Sequence, residues 1–260
     1  AAPPTDVAPV TQRREIGDAV LLRSWYPTWN GHVRPLLIAY PRSAPPGGVP
    51  LLVTNHPAGL GLACSDARSL AAARGGYALA CLAGQGVATH AFSYGSAGQV
   101  ADLARTPAIV QARIPDVRID PSRIYLAGSS MGGTEALLVA LRYPHAYTRV
   151  VALDPITDLG LRWASLPMNR RPQLEAECGG TPIEQPLCYA ARSPVSLVPT
   201  ASVAGSSRQA PAFAAALAAR TLPGAFAVRT GTWSHGALWD RAAFRRVWLG
   251  GLGLPVARRG

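Results

Sequence analysis

Short apolar runs bounded by Gly, Pro and Asn come first along the chain, at Ala19 to Trp25, Val33 to Tyr40 and Pro50 to Thr54, and they read as strands. After them the pattern alternates. Ser65 to Gly84, rich in Ala and Leu, predicts a helix, Val87 to Tyr94 a strand and Val100 to Arg113 a helix; Ile124 to Ala127 is then a strand, Met131 to Arg142 a helix and Arg149 to Leu153 a strand. Between Pro155 and Pro199 the periodicity is lost among Pro, Gly and two cysteines. It returns as a strand at Ser202 to Ala204, a helix at Pro211 to Arg220, a strand at Ala225 to Thr232 and a helix at Ala237 to Trp248. Antiparallel strands followed by βα alternation predict an α/β fold with a mostly parallel central sheet of roughly eight strands and helices on both faces. In such sheets ligands bind beyond the carboxyl ends of the strands, so chemistry belongs in the residues that directly follow them.

No compositional shift divides the chain, which reads as one domain over 1–260 with 156–196 as an excursion flanking that catalytic end. The longest apolar runs fall far short of the roughly 20 residues of a membrane span, which predicts a soluble protein. The opening AAPPTDVAPV has neither a basic start nor an apolar stretch and resembles a mature terminus left after removal of a signal peptide, which points to export. Cys64, Cys81, Cys178 and Cys188 form an even set without CxxC or His-rich spacing, so disulfides, paired locally as 64 with 81 and 178 with 188, are preferred over a zinc site; free buried thiols are the alternative.

Charge adds a constraint on partners. The formal net charge is +11 and all 25 basic residues are Arg. A basic excess creates a field that attracts anions. The arginines are scattered and follow no nucleic-acid-binding pattern, so an anionic polymer or envelope surface is expected ahead of nucleic acid. The composition leaves both a monomer and a homodimer open.

The segment Gly128-Ser129-Ser130-Met131-Gly132 carries G-x-S-x-G between a predicted strand and a predicted helix. A turn that tight leaves no room for side chains two residues before and two after the serine, and it lifts the hydroxyl clear of the sheet. Ser130 is the candidate nucleophile. The Met131 N–H, at the helix start, is a candidate oxyanion donor.

With its lead-in Ile119-Asp120-Pro121-Ser122-Arg123-Ile124, this elbow resembles the nucleophile region of prolyl-oligopeptidase-like and dienelactone-hydrolase-like α/β-hydrolases. The resemblance implies an α/β-hydrolase fold and the chain order Ser, acid, His. Downstream of Ser130 stand two histidines. His145 lies at the exit of the nucleophile helix, where a C-capping role is ordinary, whereas His235 follows the last predicted strand and is the candidate base. The acid departs from those relatives: where they carry it, this chain reads Ala204-Gly205-Ser206-Ser207-Arg208-Gln209, without a carboxylate. Asp154, in a Leu-Asp-Pro sequence after the preceding strand, takes its place in a manner similar to pancreatic-type lipases. Asp158 is the competitor, and Glu175, Glu177 and Glu184 are outsiders.

The loop Asn55-His56-Pro57-Ala58-Gly59-Leu60-Gly61 resembles the H-G-G type oxyanion loop, and because Pro57 lacks an N–H, Ala58 or Gly59 must donate. His56 reads as loop scaffold and Asn55 as a brace. No metal or organic cofactor is implied. Arg162, Arg170, Arg171 and Arg192 in the excursion suit carboxylate binding, with a solvated basic surface as the ordinary alternative. In overall character the chain resembles secreted bacterial poly(aspartic acid) hydrolases, which implies cleavage of amide bonds in a polycarboxylate. A secreted carboxylesterase or polyester depolymerase is the rival, with Trp163, Trp233 and Trp239 available for an apolar cleft.

Overall fold

The computed structural model describes residues 11–58, 62, 64–84, 92–198 and 249–254. Within them seven strands form one mixed sheet in the order β1-β2-β3-β5-β4-β6-β7. The strands are β1 (Gln12–Ile16), β2 (Ala19–Pro27), β3 (Val33–Pro41), β4 (Val49–Asn55), β5 (Ala78–Leu82), β6 (Ile119–Ser129) and β7 (Arg149–Leu153). β1, β2, β3 and β5 pair antiparallel, while β5, β4, β6 and β7 run parallel. The expected strands at 202–204 and 225–232, and the helices at 211–220 and 237–248, lie outside the described residues.

Alternation sorts side chains to two cores, since successive residues of a strand face opposite ways. Leu36, Ile38 and Tyr40 of β3 and Ala78, Ala80 and Leu82 of β5 meet Val100, Leu103 and Val110 of α2 (Ala97–Arg113) and Leu138 and Val139 of α3 (Met131–Arg142). Leu37, Ala39, Leu79 and Cys81 face the other way, against Ala72 and Ala73 of α1 (Asp66–Arg74) and against Leu249, Leu252 and Leu254. Helices therefore cover both faces, as an α/β-hydrolase fold requires.

Three departures from the sequence reading have identifiable causes. The helix expected over 65–84 is a helix and then a strand: Gly75 ends α1, Gly76 turns the chain at φ 85°, and the Ala/Leu-rich run that follows is β5, buried between β3 and β4. Sheet context overrides helix propensity there. The strand expected at 87–94 falls largely on undescribed residues, and its last part, Phe92 to Tyr94, forms a turn into α2. The first strand, Gln12–Ile16, was not anticipated, because QRREI at the sheet edge has no apolar alternation.

The cysteines pair as expected, Cys64 with Cys81 and Cys178 with Cys188. The first bridge ties the segment after the candidate oxyanion loop to β5; the second holds α5 (Arg171–Cys178) to α6 (Pro186–Ala191). These helices, with α4 (Leu159–Ser165), form the excursion. No described helix is long and apolar enough to cross a membrane.

One buried carboxyl makes a prediction about stability. Asp102 of α2 is pushed up to about 6, chiefly by burial, although Arg105 bonds to it at 2.6 Å and pulls the other way. The folded chain thus keeps a proton that the unfolded chain releases near pH 4. This contribution favours folding at low pH and is lost as pH rises through about 6, by up to about 3 kcal/mol. Asp102→Asn should flatten that slope. Urea midpoints at pH 4.5 and pH 7 should lie closer together in the variant than in the parent chain; an unchanged difference would contradict the assignment.

Candidate active site

β6 ends at Ser129 and α3 begins at Met131, so the strand-to-helix turn is Ser130 alone. Its backbone sits at φ 55°, ψ −120°, a region that costs a non-glycine residue about 1–3 kcal/mol and persists only when the surroundings fix it. They do so on both sides. The Ser130 N–H donates to Leu153 O at 2.9 Å, and the Ser130 carbonyl accepts from the Thr134 N–H at 3.0 Å. The flanking glycines are required by close approach: a Cβ on Gly128 would lie 2.1 Å from Gly132 O, and one on Gly132 would lie 2.6 Å from His56 O. Met131 occupies the first helical position, so its N–H has no intrahelical acceptor and lies at the positive end of the α3 dipole.

Asp154 directly follows β7, whose last residue, Leu153, is paired with Ser129. The candidate nucleophile and the candidate acid therefore leave neighbouring parallel strands at the same level, and both have positive φ, 55° and 47°. Asp154 is exposed at that strand end. Asp158 is engaged elsewhere, its Oδ1 accepting from the Leu161 N–H at 2.9 Å as the N-cap of α4. The outsiders are also occupied within the excursion: Glu175 accepts from Trp163 Nε1 at 2.7 Å, Glu177 pairs with Arg192, and Glu184 accepts from Thr181. His145 is exposed beyond the far end of α3, a twelve-residue helix about 18 Å long, and so is remote from Ser130. His235 and Gly59 lie outside the described residues, as do Trp233 and Trp239.

β4 delivers Asn55 and His56, both fully buried, against the first turn of α3, and Ala58 follows in an exposed turn. His56 Nδ1 lies 3.0 Å from Pro57 O, and its Nε2 is buried with no hydrogen-bond partner among the described residues. A ring enclosed in this way suits a scaffold. The sequence reading missed the group behind this loop: buried Glu135 accepts from Asn55 Nδ2, from Ser93 Oγ and from the Gly95 N–H. A signal for it exists. Glu135 lies three and four residues before Leu138 and Val139, so its carboxylate sits on the apolar face of α3, where an unpaired charge would be costly.

The four excursion arginines divide by geometry. Arg192 is committed to the scaffold, with its guanidinium on Glu177 O at 2.7 Å, Glu177 Oε2 at 3.5 Å and Ser93 O at 3.2 Å. Arg171 closes the end of α4 through Leu166 O and Ala164 O, both at 3.1 Å, and stacks on Trp163 at 4.4 Å. Arg162 and Arg170 are exposed. Between the excursion and the elbow, Tyr94 and Met131 pack with Leu159, Leu166, Leu174 and Tyr189. Burial pushes the Tyr94 hydroxyl up from the usual phenol range, while the charges of Arg162 and Arg170 pull it down. Among the described residues no group of His, Cys, Asp and Glu could hold a metal ion.

A family model described as "Putative esterase" matches residues 107–248, more than half of the chain, from α2 through the elbow and past His235. The chain belongs to this esterase family. It is a serine hydrolase of the α/β-hydrolase superfamily. Solved structures share the fold of this esterase-family chain. An acetyl xylan esterase from Paenibacillus sp. R4 superposes with a TM-score of 0.54 at 17% identity, over 73% of this chain and 69% of that one. Dipeptidyl peptidase 4 of Porphyromonas gingivalis superposes with a TM-score of 0.57 at 17% identity, over 78% of this chain and 31% of the peptidase. Prolyl oligopeptidase B of Galerina marginata gives 0.54 at 18% identity, over 72% and 27%. The chain thus spans less than a third of either peptidase. No curated protein sequence matches it.

Proposed function

We propose that this chain is a secreted serine esterase in which Ser130, His235 and Asp154 form the catalytic triad. The observation that carries the reading is the single-residue turn at Ser130, held at positive φ between β6 and α3 with Asp154 at the end of the adjoining strand. In this mechanism Ser130 Oγ attacks the acyl carbon while His235 takes its proton. Asp154 orients the imidazole and stabilises its charged form. The tetrahedral oxyanion is held by the Met131 N–H and by that of Ala58 or Gly59. Collapse expels the alcohol, which takes the proton from His235, and water then releases the acid by the same steps in reverse. Membership of an esterase family favours ester over amide bonds. Two disulfides support an oxidising compartment, and hence export.

A second reading, hydrolysis of the amide bonds of an anionic polymer such as poly(aspartic acid), is favoured by exposed Arg162 and Arg170 and by the net charge of +11. It no longer draws on Arg192 and Arg171, whose guanidinium groups bond to main-chain carbonyls within the fold.

The two readings differ in their response to salt, because exposed charges are screened over about 8 Å at physiological ionic strength. Short-chain p-nitrophenyl esters and soluble poly(aspartate) should be assayed side by side as salt is raised. The ester reading expects turnover of the neutral esters that barely responds to salt, and no shortening of the polymer. Polymer shortening whose KM rises steeply with salt, and rises again in Arg162→Gln/Arg170→Gln, would establish the second reading.

A further inference from the structure

Glu135 is a fully buried carboxylate that the triad does not use. It stands one turn into the nucleophile helix, and three segments donate to it: Asn55 through Nδ2 at the end of β4, Ser93 through its hydroxyl, and Gly95 through its backbone N–H at 3.1 Å. The polarity of this arrangement has a consequence. A carboxylate only accepts, so the Asn55 amide must turn its NH2 group toward Glu135, which leaves Oδ1 facing the other way. There Oδ1 accepts from the His56 N–H at 3.0 Å and from Gln99 Nε2 at 3.4 Å. The orientation of one side-chain amide thereby fixes the backbone of His56, the residue from which the chain runs through Pro57 to Ala58. On its other side the His56 carbonyl abuts Gly132, two residues after Ser130.

We propose that Glu135 is a positioning residue for the oxyanion site. Acting through Asn55 and the His56 N–H, it holds the Asn55–Ala58 loop in register with the N-terminus of α3, so that both oxyanion donors converge on one point. The inference rests on the reading of Ser130 as nucleophile. An oxyanion donor acts in the transition state and not on the bound ester, and removing one typically costs about 100- to 1000-fold in kcat. Displacing a donor should cost less than deleting it. Glu135→Gln keeps the shape but replaces one acceptor oxygen by an NH2 group facing donors, which frees the Asn55 amide to flip.

The test is steady-state kinetics on p-nitrophenyl butyrate, together with the rate of inactivation by a fluorophosphonate, for Glu135→Gln, Asn55→Ala, the double variant and Ser130→Ala. Only chains that retain near-UV circular dichroism at the assay temperature are compared. The expected result is a 10- to 100-fold loss of kcat with KM held within threefold, an equal loss in the fluorophosphonate rate, and a double variant no worse than Asn55→Ala alone. A folded Glu135→Gln chain with kcat within threefold of the parent would overturn the proposal, as would a loss confined to KM or losses that multiply in the double variant. Should Glu135→Gln fail to fold, Asn55→Ala decides by the same kcat and KM criterion. Ester turnover surviving in Ser130→Ala would instead remove the reading of the site itself. An inactive Ser130→Ala beside an unaffected Glu135→Gln would remove only the role given to Glu135.

Discussion

Ser130→Ala should lower turnover of a short-chain p-nitrophenyl ester by at least about three orders of magnitude, with the folded state intact. Without the hydroxyl no acyl-enzyme forms, and what remains is whatever the oxyanion donors and binding achieve with water as nucleophile. Stability should not suffer. Ser130 holds a backbone geometry unfavourable for any side chain, and the bonds that fix it, to Leu153 O and from the Thr134 N–H, are made by the main chain and survive the substitution. Replacement by glycine would even relieve part of the strain. A Ser130→Ala chain with near-parental activity would end the serine-hydrolase mechanism at this position.

Asp154→Asn should lower kcat by about three to four orders of magnitude, because an amide cannot hold the imidazole in the tautomer that accepts the serine proton or balance its positive charge. Asp158→Asn supplies the contrast. Its carboxylate caps α4, and asparagine caps a helix about as well, so both activity and stability should stay close to the parent. Asp158→Ala, which removes the cap, should cost about 1 kcal/mol of stability and little activity. Kinetics and thermal melts on the three variants check this ranking. A larger activity loss in Asp158→Asn than in Asp154→Asn would move the acid to Asp158 in spite of its cap.

How far the sequence was legible depended on how local the controlling physics was. α3 and β7 matched the expected spans residue for residue, because glycines punctuate the elbow and an apolar run between polar flanks defines the strand. β5 was misread because Ala and Leu signal helix locally, while the sheet on both sides of 78–82 decides otherwise. β1 carries almost no apolar residue, and among the described residues it is its pairing with β2 that makes it a strand.

At the site, the tight turn at Ser130 could be read from the G-x-S-x-G spacing between a predicted strand and a predicted helix, and the place of Asp154 directly after the next strand from the order of elements. The tasks of the arginines could not be read. Arg192 was expected to suit carboxylate binding or a solvated surface, yet its partners Glu177 and Ser93 are distant in sequence and meet it only in the folded chain. The apolar face of α3 marks Glu135 as a buried carboxyl, but its partners could not be read for the same reason, since its three donors come from segments joined by the sheet and by the turn into α2.

The central claim, that the residue turning β6 into α3 is an activated nucleophile, is tested most directly by fluorophosphonate labelling followed by peptide mapping. The account predicts a single adduct, on Ser130, that forms in the parent chain and is slowed at least about 100-fold in His235→Ala, where the general base is missing. An adduct on another residue, or persistent ester hydrolysis with Ser130 unlabelled, would contradict it.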